Sequence, residues 1–386
     1  MVRVGPLGKS IVCVLASLCA VVPAEAGFLT LRQARQAPRG RIACLPSPTM
    51  GTRYIDADDL GRHSYGFTLF GERNGIVYTC RGGHVDVTHL RKVADWTGYL
   101  AYHLRDIMMK SETEVTYKMW EPSRYHVTID YPAGWEYLPL RTKETIAREA
   151  AIDLAAYLAY MGSVWHEVLT WHGFKGAGIY PEYNSAFSWE DNYSNVMGSH
   201  IGALALRDPD RDFDAAVTRH LDREIQMLGG QPRHVARQAG EAVRGQWFTG
   251  GFVIVTMVKR HLDVGLDTGS ITPWLVPGIA DCPDEEPQPF PIPDLKAIEK
   301  RGIDVRIEIE PREWERGQIL RKAYPNRENR RDRIDPTKHL AVIMEGIRAE
   351  VIERYGPGAD EYEVPYLASS AGAPDPNSGS APAHGG

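Results

Sequence analysis

The sequence predicts an α+β fold in which β-hairpins pack with several long helices and no doubly wound sheet forms. Short apolar runs joined by Gly-, Asn- and Pro-containing turns come first, and helical periodicity then holds over long windows. No regular strand–helix–strand alternation, the mark of a parallel sheet, is present.

Residues 63–70 and 76–80 read as two strands, and Gly71-Glu72-Arg73-Asn74-Gly75 reads as their hairpin loop because Asn-Gly supplies positive φ. After Gly82-Gly83, Asp86 is placed to cap a helix reaching about residue 106. Leu90, Val93, Ala94, Thr97, Ala101 and Leu104 form its inner stripe. A second hairpin spans 114–120 and 125–131 around Pro122-Ser123. The longest helix is expected over 142–172, with Ile146, Ala150, Leu154, Tyr157, Met161, Val164 and Val168 at helical spacing and Gly173 as the stop.

Ser188-Trp189-Glu190-Asp191 reads as a capping box opening a helix to about residue 206. Helices are also expected over 212–228 and 232–247, and a buried strand over 252–258. Five prolines between 281 and 293 mark an extended connector. Ile303, Val305, Ile307 and Ile309 alternate as a strand. The last helix has Asp335 as cap, Pro336 at its first position and Gly356 at its end. The domain plan is therefore a signal peptide over 1–26, a main α+β domain over 27–280, and a connector, strand and helix over 281–366 packing on it. A disordered tail over 367–386 is poor in apolar bulk.

The signal peptide is read from Arg3 and Lys9, the apolar run 11–22, Pro23 and Ala24-Glu25-Ala26. The run falls short of the ~20 residues that span a bilayer, so cleavage and export to the periplasm or cell envelope are expected. Membrane association would follow only from a retained leader or from lipidation at Cys19, where Leu18 is bulkier than a lipobox wants. Nine tryptophans and eighteen tyrosines supply bulk for a sizeable core. The formal charge of -6 argues against a nucleic-acid partner. The basic stretch 312–333 is interrupted by Glu313, Glu315, Glu328 and Asp332 and reads as a solvated surface. Cleavage leaves Cys44, Cys80 and Cys282, enough for one disulfide and one thiol, with the pairing open. No local pattern marks Cys80 as a nucleophile.

Chemistry is sought first at Trp165-His166-Glu167. Zinc hydrolases place two histidines one helical turn apart around such a glutamate, which activates the metal-bound water. Thr170 stands where the second histidine would be, so other ligands must come from His89, Asp86 or Glu190. The alternative is a buried polar pair with ordinary hydrogen bonds. His84, Asp86 and His89 offer three further donors around a helix start, although Asp86 already serves as its cap. Asp267-Thr268-Gly269 looks like half of an aspartic-protease dyad, but no second copy exists, and turn chemistry explains it. His220 and Glu224 lie one turn apart beside an apolar stripe and read as an inner hydrogen-bonded pair.

His166-Glu167 with Thr170-Trp171, then Ser185-Ala186-Phe187-Ser188-Trp189-Glu190-Asp191-Asn192-Tyr193-Ser194-Asn195, resembles the family called domain of unknown function 4056. Leu60-Gly61-Arg62-His63-Ser64-Tyr65, residues 86–91 and Pro273-Trp274-Leu275-Val276-Pro277 are similar to it as well, and the blocks cover most of residues 40–280. The resemblance implies an exported protein or lipoprotein and no particular activity. It also implies that His63, Asp86, His89, His166, Glu167, Glu190 and Asp191 belong to recurring blocks. The leading expectation is an envelope hydrolase acting on a small substrate or envelope component. His166 would be a ligand to a divalent metal such as zinc, Glu167 the base, and His89, Asp86 and Glu190 the rest of the shell. The rival is a non-catalytic envelope module binding through its aromatics. Convergence of these side chains on one cleft separates the two.

Overall fold

The structure, a computed structural model, describes residues 32–41, 53–68, 71–176, 180–250 and 255–362. The signal segment, Cys44 and the tail lie outside these residues. Antiparallel strands β1 (Ile76–Thr79) and β2 (Gly83–Asp86) open the fold, in register from Ile76 opposite Asp86 to Thr79 opposite Gly83. The turn of this hairpin is the 80–82 step, not the 71–75 loop. Gly83 sits at φ +62°, where a side chain would strike the Trp274 carbonyl oxygen at 2.2 Å.

Residues 63–68 are therefore not a strand, and 69–70 lie outside the described residues. The fully buried Arg91 supplies what a ladder would have given. Its guanidinium donates to the carbonyls of Leu60, Gly61 and Arg73 and to Asn74 Oδ1.

Asp86 ends β2 and caps α1 (Val87–Met109), its carboxylate accepting from the Thr88 and His89 N–H groups. Strands β3 (Glu114–Tyr117) and β4 (Arg124–Asp130) form the second hairpin. Helix α2 (Leu140–Trp171) follows, and Gly173 at φ +100° turns the chain out of it. After β5 (Lys175–Gly176) and β6 (Tyr180–Pro181) come α3 (Asp191–Arg207), α4 (Phe213–Met227) and α5 (Arg233–Ala242). The last stops five residues short of the expected 247, because the chain turns at Gly245, φ +83°, to enter β7 (Phe248–Gly250). Strand β8 (Val255–Met257) pairs with β7. Small strands β9 (Ser270–Ile271) and β10 (Phe290–Pro291) pair across the proline-rich connector.

The C-terminal part holds α6 (Lys296–Glu299), β11 (Asp304–Glu310), α7 (Arg316–Ala323) and α8 (Pro336–Tyr355). Strand β11 pairs antiparallel with β4, giving a three-stranded sheet of order β11-β4-β3. Its inner face, with Tyr125, Val127, Ile129, Val305, Ile307 and Ile309, shares one hydrophobic core with α1, α2, α3 and the buried side of α8. Cys80 and Cys282 form a disulfide that ties the first hairpin turn to the connector. Among the described residues no helix is long and apolar enough to cross a membrane.

Helices α1, α2 and α3 pack on one another at the centre, and two glycines set the α1–α3 approach. A Cβ on Gly198 would stand 2.5 Å from the Leu90 carbonyl oxygen, and one on Gly202 would stand 2.9 Å from that of Ala94. Both neighbours are backbone and cannot turn aside. Gly198→Ala or Gly202→Ala is expected to lower stability by about 1–3 kcal/mol through overpacking. A urea unfolding midpoint unchanged in both variants would contradict this.

Candidate acid–base site where three helices meet

The α1–α3 contact brings three helix ends together. The first turns of α1 carry His89 and Lys92, the last third of α2 carries His166 and Glu167, and α3 opens with Asp191 and carries Asn195. His89, Lys92, His166, Glu167 and Asn195, with Val93, Trp120 and Ser163, line one cavity of about 10 Å³, the scale of a single water, and Asp191 stands beside it. Of the expected site residues, His89, His166 and Glu167 line this cavity.

Each histidine is backed by a carboxyl group through Nδ1. His89 Nδ1 stands 2.8 Å from Asp191 Oδ1 and 3.9 Å from Asp86 Oδ2. Burial opposes a charge on this imidazole, yet Asp86 and Asp191 outweigh burial and push it up to about 10. His166 Nδ1 lies 2.5 Å from Glu121 Oε1, a buried carboxyl from the turn before β4. Burial pushes the Glu121 carboxyl well above the usual carboxylate range, with Lys92 working against it. Lys92 Nζ itself sits over the Trp120 ring, 4.1 Å from its centre.

Glu167 is also strongly altered by its surroundings. Burial, reinforced by the nearby Asp191, pushes its carboxyl up to about 8, although the Phe187 N–H donates to Oε2 at 2.8 Å. That bond holds Phe187 at φ +54°, a rare conformation for a bulky residue. The same loop is clamped from the other side. The buried Arg260 donates to the Tyr183 and Ala186 carbonyls, and the His261 N–H donates to the Phe187 carbonyl.

The metal shell expected of His166, His89, Asp86 and Glu190 does not assemble. Among the described residues no three His, Cys, Asp or Glu side chains are grouped to hold an ion. Asp86 is spent on capping α1 and on its place beside His89. Glu190 accepts from the Ser188 hydroxyl at 2.7 Å, and burial with Asp191 and Asp86 nearby pushes its carboxyl well upward. Both stand behind the cavity. Only half of the expected Ser188–Asp191 capping box forms: the Ser188 N–H donates to Asp191 Oδ2 at 3.1 Å, but the residue before α3 is Glu190, whose side chain makes no capping bond, and Asp191 as the first helical residue binds Ser188 and His89 together.

The remaining candidates have structural partners. His84 joins a separate aromatic cluster, where Trp189 Nε1 donates to its Nδ1, and burial pushes it down to about 4. His172 Nδ1 donates to the Val168 carbonyl, and His220 Nε2 lies 3.4 Å from Asp208 rather than chelating with Glu224. Asp267 accepts from the Thr268 N–H in an exposed turn. Cys80 is oxidised in the disulfide. Sequence reasoning missed Glu121 and Lys92. Lys92 had a legible signal, three residues beyond His89 on a capped helix, whereas Glu121 lay in a turn that gave none.

A family model described as a protein of unknown function (DUF4056) matches residues 40–265. No curated protein and no solved structure matches the chain.

Both raised groups favour the protonated folded state, so their stabilisation is complete at low pH and disappears as pH rises. For Glu167 the loss runs from its ordinary 4.5 to about 8, and for His89 from 6.5 to about 10. The thermal unfolding midpoint is expected to fall between about pH 5 and pH 10. Glu167→Gln should flatten the lower part of that slope and His89→Asn the upper part. Parallel slopes in wild type and both variants would show that neither group is perturbed.

Proposed function

Because the chain belongs to the DUF4056 family, whose description names no activity, we propose from its own geometry that it is an exported envelope hydrolase with a metal-free acid–base site. One observation carries the reading: Glu167, His89, His166 and Lys92 line a single water-sized cavity, and each histidine is backed by a buried carboxyl group. The disulfide supports an oxidising compartment outside the cytoplasm.

The perturbed acidities assign the roles. A carboxyl raised to about 8 is mostly protonated at neutral pH, so Glu167 begins as the acid rather than as the base the motif suggests. It would donate its proton to the leaving group. His166, oriented by Glu121, would take a proton from the attacking water. His89 keeps its charge through neutral pH, and with the Lys92 ammonium it would stabilise the oxyanion that forms. The cavity has room only for the water, so the scissile group would lie across its mouth, against Trp120 and Lys92.

The rival reading as a binding module draws on Trp314, Tyr137 and Phe67, large aromatics left exposed on separate segments. A panel of p-nitrophenyl esters and p-nitroanilides tests the two. Hydrolysis should fall by about a hundredfold or more in Glu167→Gln and in His166→Asn. The wild-type rate should decline as pH rises through about 8. Equal rates in wild type and both variants would leave the binding module. Stoichiometric zinc in purified protein, lost in His166→Ala without unfolding, would replace the metal-free form with a metal-dependent one.

A further inference from the structure

A second, wider groove lies away from the acid–base site, between the 62–65 loop and the outer face of α4, with a volume of about 680 Å³. Its floor is a stripe at helical spacing, Ala215, Thr218, Arg219, Asp222, Arg223 and Gln226, and its wall is Arg62 with His63. The opposite face of α4 is buried through Phe213, Ala216, Val217, Leu221 and Ile225, so the helix is fixed and the stripe cannot turn inward.

The wall is fixed as well. The His63 N–H donates to Thr218 Oγ1 at 2.9 Å, and the Tyr65 N–H donates to Asp214 Oδ1 at 2.8 Å. His63 Nε2 is 2.9 Å from Asp95 Oδ1, and behind it the buried Arg41 bridges Asp95 and Glu72. Gly61 lets the loop enter at φ +69°.

The charges of this groove differ in how far they are engaged. Asp212 accepts from the Ala215 N–H as the cap of α4, Asp214 holds Tyr65 and lies 3.8 Å from His63, and burial raises the Asp222 carboxyl, with Arg91 working against it. The guanidinium groups of Arg62, Arg219 and Arg223 make no hydrogen bond or ion pair among the described residues. We propose that this groove binds a small anion carrying a carboxylate or a phosphate, held by the forked guanidiniums of Arg62, Arg219 and Arg223. Such a fork gives two parallel N–H donors to either group, and the fixed backbone of wall and floor sets where each exposed arginine is rooted. The engaged carboxylates would select for orientation, admitting the anion at the arginine end and repelling it at Asp212 and Asp214.

Calorimetric titration of the full chain at low salt with inorganic phosphate, and separately with glutarate, tests the site and names the preferred group. At least one anion should bind, and the Arg219→Gln/Arg223→Gln double variant should lose about tenfold or more in affinity. Arg331→Gln, on a distant exposed segment, should bind as wild type does. The proposal fails if neither anion binds, if the double variant keeps its affinity, or if Arg331→Gln loses as much. None of these outcomes depends on Glu167, so the groove and the acid–base site stand or fall separately.

Discussion

The close approach of α1 to α3 is the constraint on which the rest of the centre depends. Glycine at 198 and 202 lets two backbones meet where side chains would hold them apart. The consequence is felt one and two turns away, at the N-terminal end of α3. There Asp191 is carried against His89, and Ser194 Oγ accepts from the Asp86 N–H where β2 passes into α1. A wider crossing would admit water between these groups. In the narrow one, charge must be balanced by protein, and acidities move accordingly.

Buried cations serve a second purpose, fastening segments that have no regular hydrogen-bond ladder. Arg91 gathers carbonyls from the 60–74 loop, and Arg260 gathers those of Tyr183, Ala186 and Met257 together with the Tyr355 hydroxyl. A planar group with five donors suits this work, since several carbonyls can be satisfied from one side chain. The loop that presents Phe187 to Glu167 is thus rigid without being helix or strand.

Much of this was legible in the residues. Asp86 as cap, Gly173 as stop, the β3–β4 hairpin and the alternating β11 all follow from local chemistry, and local chemistry decided them. The α+β class was read from the same patterns. The first hairpin was misplaced because Asn74-Gly75 is a strong turn signal, whereas the true partner of β1 was chosen by Gly83 packing under Trp274 and by Arg91 reaching back to the loop. Both are contacts between residues distant in sequence. At the site, His166 and Glu167 were singled out from a motif, and His89 from its spacing. Asp86 was legible as a cap, but that Glu190 stands behind the cavity, bonded to the Ser188 hydroxyl, could not be read, because the fold and not the spacing decides which way it is turned. Glu121 is joined to His166 only by the folding of the β-sheet against α2.

The disulfide between Cys80 and Cys282 closes a ring across 202 positions. Helices α1 to α5, and with them every residue of the acid–base centre, lie on that ring between its two sulfurs. A protease nick anywhere along it therefore opens the loop without releasing a fragment. The two pieces migrate as one molecule until a reductant parts them.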